Sequence, residues 1–266
     1  MEWRWSKTLA VVFALSLPII IPVGQLFVFS QIWRKRPVNA QNCTCSCWDT
    51  IFKGPYEYGV PKYKHLYFNV DRVTLRMWII TVVGVVFLYE SMKHFTLLLL
   101  DKKLRWSMGI LFLSSLYSHY YGWWGCLNFL NDGFYTMWYH QLFFSFTELL
   151  SSLLVFSSLD AKRGVEPHSM LVICCIAIFH ILCSGSDQFI KNVLLMRGAY
   201  FQISKDLLLM TSDVLHATLS LLEIREHASR KGVTLISFLS QRSLLYVVLV
   251  VFSSMSLLVL QFPNRE

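Results

Sequence analysis

The sequence predicts an all-α, polytopic integral membrane bundle of about seven transmembrane helices plus an interfacial amphipathic segment. Three observations carry that prediction. Of 266 residues, 55% are hydrophobic and only 15% are charged, whereas a water-soluble chain carries about a quarter charged residues. The apolar residues fall in long unbroken runs, not at the three-and-four spacing of a helix with one wet face. A helix needs about 20 apolar residues to cross the hydrocarbon core, and the runs with their loops account for nearly the whole chain. The expected organisation is therefore one membrane domain over 1–266, with a cysteine- and aromatic-rich interfacial loop at 34–72 and a polar-lined helical heart at 106–223. No room is left for a soluble catalytic domain, so chemistry belongs in the membrane or in a short loop.

The first run, 8–33, follows Arg4 and Lys7 and is too long for a signal-peptide core of about 7–15 residues, so it reads as an uncleaved anchor. Pro18 and Pro22 should kink it, which a membrane helix tolerates when neighbours satisfy the freed carbonyls. The polar stretch 34–72 comes next. It opens with Arg34, Lys35 and Arg36 and contains Cys43, Cys45 and Cys47, the turn signals Gly54-Pro55 and Gly59-Val60-Pro61, and many aromatics suited to a membrane interface.

The second run spans 73–100, the third 106–130 and the fourth 134–159. Asn131, Asp132 and Gly133 alone separate the third from the fourth, so the two should form a tight antiparallel hairpin. The fifth run covers 169–186, and 187–205 reads as an amphipathic segment along the interface. The sixth covers 206–223, and the seventh covers 233–262 with Arg242 near its start.

The net charge is +8, from 24 Lys and Arg against 16 Asp and Glu. In a soluble protein that excess would invite a nucleic-acid reading. Here the cations lie mostly between apolar runs, where they orient helices and meet anionic head groups, so no nucleic-acid partner is expected. The loops after the second, fourth and sixth runs carry Lys102, Lys103 and Arg105; Lys162 and Arg163; and Arg225, Arg230 and Lys231. The loop after the third carries none. The positive-inside rule then puts the amino terminus in the cytosol and the cysteine loop outside or in a lumen, although Arg34, Lys35 and Arg36 argue the opposite way.

Three constellations bear on function. In the cysteine loop, Asn42-Cys43-Thr44 matches a glycosylation acceptor. Cys43, Cys45 and Cys47 suit disulfides in a lumen, lipidation on the cytosolic side, or a soft metal. The second constellation is the set of ionisable residues inside the runs, each costing at least about 2.5–3.5 kcal/mol at mid-membrane. If His119, His140, Glu148, Asp213 and His216 converge, they make a polar cavity able to hold a metal with an activated water, to relay protons or to bind a lipid head group. The bland alternative is that each bonds a neighbouring helix. His180 lies deep in the fifth run, and Cys174, Cys175 and Cys183 read as packing residues.

The third constellation is the aromatic density around the hairpin. Tyr121, Trp123, Trp124, Asn128, Asp132 and Trp138 make a candidate lipid portal. An interfacial aromatic belt is the bland explanation for most of these residues.

No compact metal pair, nucleotide loop or nucleophile elbow appears. These features favour a non-enzymatic protein that handles lipid, or serves as accessory subunit of a larger membrane complex for lipid transport. The expected surroundings are membrane lipids and a protein partner, in the endoplasmic reticulum first and the plasma membrane second. The alternative is an intramembrane metal-dependent hydrolase or transferase acting on lipid. A channel or transporter ranks third, because no inverted repeat is visible. No cofactor is called for; zinc is the metal that a His and carboxylate set would take.

Overall fold

The computed structural model describes residues 2–32, 72–131 and 135–260. The elements are α1 (Glu2–Ile32), α2 (Arg72–Leu100), α3 (Trp106–Asn131), α4 (Tyr135–Ser157), α5 (Pro167–Ser184), a π-helical segment (Gly185–Leu194), α6 (Tyr200–Arg230), α7 (Leu235–Leu239) and α8 (Arg242–Leu260). No strand occurs among the described residues; a single isolated bridge pairs Leu104 with Asp160.

Among the described residues, four helical stretches are long and apolar enough to cross a membrane: Arg76–Leu100, Pro167–Ser184, Tyr200–Arg230 and Arg242–Val259. Helices α3 and α4 occupy the third and fourth apolar runs but fall outside that group. Their Ser, Tyr, Trp, His and Gln residues lower the mean hydropathy without shortening the helix. In α1 the corresponding apolar stretch is Trp5–Ile21, and the helix continues through Pro18 and Pro22.

The packing divides the chain into two compact units, one of 1–96 with 121–142 and one of 97–120 with 143–266. In the first, Trp123 Nε1 donates to Thr81 Oγ1 at 2.9 Å, joining α3 to α2. Gln141 packs on Gly125, and a Cβ on Gly125 would come 3.1 Å from its amide carbon. Small residues at such points let helices approach closely. Along α2, Trp78, Ile79, Ile80, Val82, Val83, Val85, Val86 and Phe87 are all exposed. An all-round apolar surface of this kind suits a lipid surround.

The second unit is built around α5, which packs chiefly against α6 and α8. Pro167 starts it, as a residue whose missing N–H costs nothing in a first turn. Met170, Leu171, Ile173, Cys174, Cys175, Ile176, Ala177 and Phe179 are buried along it. Phe143 of α4, Ile176 and Phe179 of α5 and Met255 of α8 form one apolar cluster. The Cys174 thiol donates to Ala217 O at 3.6 Å, which supports the packing role expected of it.

One end of this unit is tied by its loops. Arg105 N donates to Leu159 O and Ala161 N to Lys103 O, both at 2.8 Å. The Arg105 guanidinium also reaches Ser158 O at 2.6 Å and Arg163 O at 2.5 Å. Ser107, in the first turn of α3, hydrogen-bonds Glu223 near the end of α6. The loops after the second and fourth runs therefore meet, and Ser107 ties the start of α3 to the last third of α6.

Three boundaries differ from those expected. The stretch 187–205 is not one interfacial helix: 185–194 is π-helical, and α6 already begins at Tyr200. Asn192 Nδ2 donates to Asp206 Oδ2 at 2.8 Å and Lys205 Nζ to Gln188 Oε1 at 3.1 Å, so the π-helical segment is fastened to α6. The sixth run also extends through its charged end to Arg230. It stops there because Gly232 takes φ +70 and lets Val233 N return to Ala228 O at 3.1 Å, the glycine-ended C-cap. Finally, the seventh run breaks between Leu239 and Arg242. Thr234 caps the short α7 by accepting from Ser237 N at 3.3 Å.

Candidate functional site: a buried His–carboxylate centre

Three helices of the second unit each contribute one ionisable side chain to a single point. Glu148 comes from α4, His180 from α5 and Asp213 from α6, and their ligand-capable atoms all lie within 4.8 Å of one another. His180 Nδ1 faces both acids, at 3.3 Å from Asp213 Oδ1 and 3.8 Å from Glu148 Oε2. His180 and Glu148 are buried, and Asp213 is nearly so. His180 lies about 20 Å along α5 from Pro167, well inside a hydrocarbon layer of about 30 Å.

The other side of the imidazole is equally constrained. His180 Nε2 sits 2.7 Å from Thr147 Oγ1, and that oxygen also lies 2.9 Å from Phe143 O and 3.1 Å from Phe144 O. With the Thr147 hydroxyl proton on one of these carbonyls, its oxygen accepts from His180 Nε2–H; with the hydroxyl donating to Nε2 instead, the ring proton sits on Nδ1, 3.3 Å from Asp213 Oδ1. The ring of Phe144 covers the imidazole face, with centroids 4.9 Å apart.

Several polar groups on α4 and α6 are buried without partners. Among the buried side-chain atoms described, Glu148 Oε1, Ser212 Oγ, His216 Nε2 and Ser220 Oγ make no hydrogen bond. His216, one turn beyond Asp213 on α6, is 2% exposed. Its Nδ1 donates to Ser212 O at 2.8 Å, so its Nε2 carries the lone pair. The ring interacts electrostatically with Asp213 and His180. On α3, Ser118 hydrogen-bonds the Glu148 carboxyl, and His119 Nε2 meets Ser152 Oγ of α4 at 2.8 Å. An unpaired polar atom in such a place costs about 1–3 kcal/mol, and here several stand together.

Of the five residues expected to converge, Glu148 and Asp213 share the centre and His216 lies beside it. His119 is turned to Ser152, and His140 belongs to the other unit. The residue missing from that expected set is His180, around which the centre is organised. Its signal was present in the sequence: it is the one residue of charge-bearing type (Asp, Glu, His, Lys or Arg) between Ser169 and Ser184, and such a residue inside an apolar helix is by default a functional-site hypothesis.

Of the expected portal residues, the rings of Tyr121 and Trp124 lie 6.1 Å apart, and Trp123 is committed to Thr81. The side chains of Asn128 and Trp138 lie outside the described side chains. Asp132, Asn42, Cys43, Cys45 and Cys47 lie outside the described residues.

Fold and centre together define an all-helical protein with four helices fit to cross a membrane and a buried His–carboxylate cluster between three helices of one unit. The chain belongs to the family of unknown function DUF8801, whose model matches residues 7–261. No curated protein and no solved structure matches it.

Proposed function

We propose that the protein is a multi-pass membrane protein, crossing the bilayer about seven times, that handles a lipid within its helix bundle. One observation carries this reading: Glu148 of the Glu148–His180–Asp213 centre and Ser212, His216 and Ser220 of α6 keep buried polar atoms without partners, while the outward faces of the same helices are apolar. Those faces include Phe146, Leu149 and Leu153 of α4, Leu182 of α5, and Leu208 and Leu222 of α6. Polar atoms kept unpaired at such cost are suited to a polar ligand. A membrane lipid has a polar head for these atoms and an apolar body for the walls around them. Tyr121, Trp123 and Trp124 fit the same reading as amphipathic contacts at the interface.

The protein is to be extracted with its native membrane in polymer-bounded discs and its lipids measured by mass spectrometry. One lipid class should be enriched over the bulk membrane, and Glu148→Gln should remove the enrichment. Bulk composition around the unaltered protein would overturn the reading.

The arrangement of two carboxylates against a bare imidazole nitrogen favours a second reading, an intramembrane hydrolase or transferase acting on that lipid. It is separated from pure binding by turnover of the enriched lipid, lost in His216→Ala. The endoplasmic reticulum is the proposed membrane. A role as accessory subunit of a lipid-transport complex draws support from the exposed apolar surface of α2, which a partner helix would cover.

A further inference from the structure

The hydrogen-bond network around His180 fixes more than a packing arrangement. In the tautomer that donates from Nε2 to Thr147, the neutral ring presents a bare lone pair at Nδ1. That lone pair faces two carboxylate oxygens at 3.3 and 3.8 Å. Three electron-rich atoms converging in a buried site repel one another unless a positive charge stands among them. From this geometry we infer that Glu148, His180 and Asp213 are the ligands of a divalent first-row transition metal ion, with zinc the first choice. The inference builds on the reading of this centre as a site that holds a ligand.

Three features argue for a metal over a proton shared within the cluster. The spacing is right. Zinc binds imidazole nitrogen and carboxylate oxygen at about 2.0–2.2 Å, which sets ligand atoms of a tetrahedral site about 3.3 Å apart. The His180 pairs stand at 3.3 and 3.8 Å, and all three ligand atoms lie within 4.8 Å of one another.

The surroundings are also right. A metal-bound imidazole characteristically donates its other N–H to a fixed acceptor, which sets the tautomer and the ring orientation. Thr147, itself anchored to a backbone carbonyl, is that acceptor. In addition, donor capacity is left over. Glu148 Oε1 and His216 Nε2 are buried without partners, and the His216 proton is committed to Ser212 O. A proton shared among Glu148, His180 and Asp213 would leave both of those atoms unsatisfied.

One imidazole and two carboxylates leave a fourth position open, the arrangement of a catalytic rather than a structural zinc. His216, on the same helix as Asp213, supplies a second bare nitrogen beside it. Oxygen-only cations are disfavoured by the imidazole, and copper(I) by the absence of sulfur from the cluster.

The test uses the full-length protein purified through a tag that lacks histidine. Cys43, Cys45 and Cys47 are replaced by serine, so that zinc on those thiols cannot enter the count. The protein is equilibrated with micromolar zinc, freed of excess, and assayed for zinc per chain. Cobalt(II) substitution, read by its visible absorption, serves as a second probe. The expected result is one zinc per chain and a four-coordinate cobalt spectrum. Glu148→Gln and Asp213→Asn, which keep size and shape, should each lower the bound zinc to less than about a tenth. Thr147→Val should weaken zinc affinity by about 10–100-fold.

Less than a tenth of a zinc on the parent protein would overturn the inference, as would parent-like binding in both ligand variants. If those variants fail to fold, Thr147→Val decides, and unchanged affinity counts against the site. Lipid measured on the same samples separates the two readings: lipid without zinc removes the metal and leaves the lipid reading, and zinc without lipid does the reverse.

Discussion

Thr147 is the residue on which the buried centre turns. A threonine just past the middle of an apolar helix looks in sequence like a small packing residue. In the fold its oxygen lies 2.9 Å from Phe143 O and 2.7 Å from His180 Nε2, bridging the backbone of α4 to the imidazole. Thr147→Val keeps the shape but leaves His180 Nε2–H buried with no acceptor, a loss of about 1–3 kcal/mol. Thr147→Ser retains the oxygen and should behave as the parent. Thermal unfolding in detergent, followed by circular dichroism, distinguishes them, and equal midpoints for all three would show that Thr147 does not orient the imidazole. Sequence reasoning could reach Glu148 and Asp213, since carboxylates inside apolar runs are costly and so stand out. It passed over Thr147 because hydroxyls in membrane helices often satisfy their own backbone. Here Thr81, Thr96, Thr211 and Thr218 do so four residues back along their helices.

Among the elements, the π-helical segment between α5 and α6 departs furthest from what the sequence implies. The mixture of charged and apolar residues over 187–205 reads as a single amphipathic helix, yet the chain widens into π-helical turns and then reverses. The reversal rests on two residues. Met196 adopts φ 52, and Gly198 lies so close to Asn192 that a Cβ would stand 2.8 Å from the asparagine Cβ. Gly198→Ala should therefore cost on the order of 1–3 kcal/mol locally and loosen the Asn192–Asp206 bond. Hydrogen exchange across 185–206 should rise, while Gly164→Ala, at an open position, should leave it unchanged. The apolar runs themselves were legible because hydrophobic length is a strong signal. Where a run breaks was not, because the breaks at Gly232 and before Arg242 depend on backbone conformation and capping, which composition does not carry.

For the molecule as a whole, the gathering of the basic loops at one end of the second unit bears on orientation. With Lys102 and Lys162 in loops that meet there and Lys231 just past the end of α6, the positive-inside rule predicts that this end faces the cytosol. Single cysteines introduced at these three positions, in a chain with its own cysteines replaced, should all be blocked by the same impermeant reagent from the same side of sealed vesicles. A cysteine at exposed Met196 should react only from the other side. Labelling of 102, 162 and 231 from different faces would contradict the shared end. The fold class was within reach of the sequence because charge and hydropathy repeat along the chain. The centre between α4, α5 and α6 was only half legible, since which face of each helix turns inward is decided by packing and not by spacing within any one run.

Arg105 has a consequence for how the chain comes to be built. Its backbone and guanidinium partners, Ser158, Leu159 and Arg163, lie up to 58 residues further along. At about 5–20 residues per second of synthesis, the arginine waits roughly 3–12 s before the last of those acceptors is made. In that interval the α2–α3 turn has no latch, so insertion of the α3–α4 pair must be complete before the turn can close. Assembly of this end is thus ordered in time: the clasp that seals the first hairpin is delivered by the second.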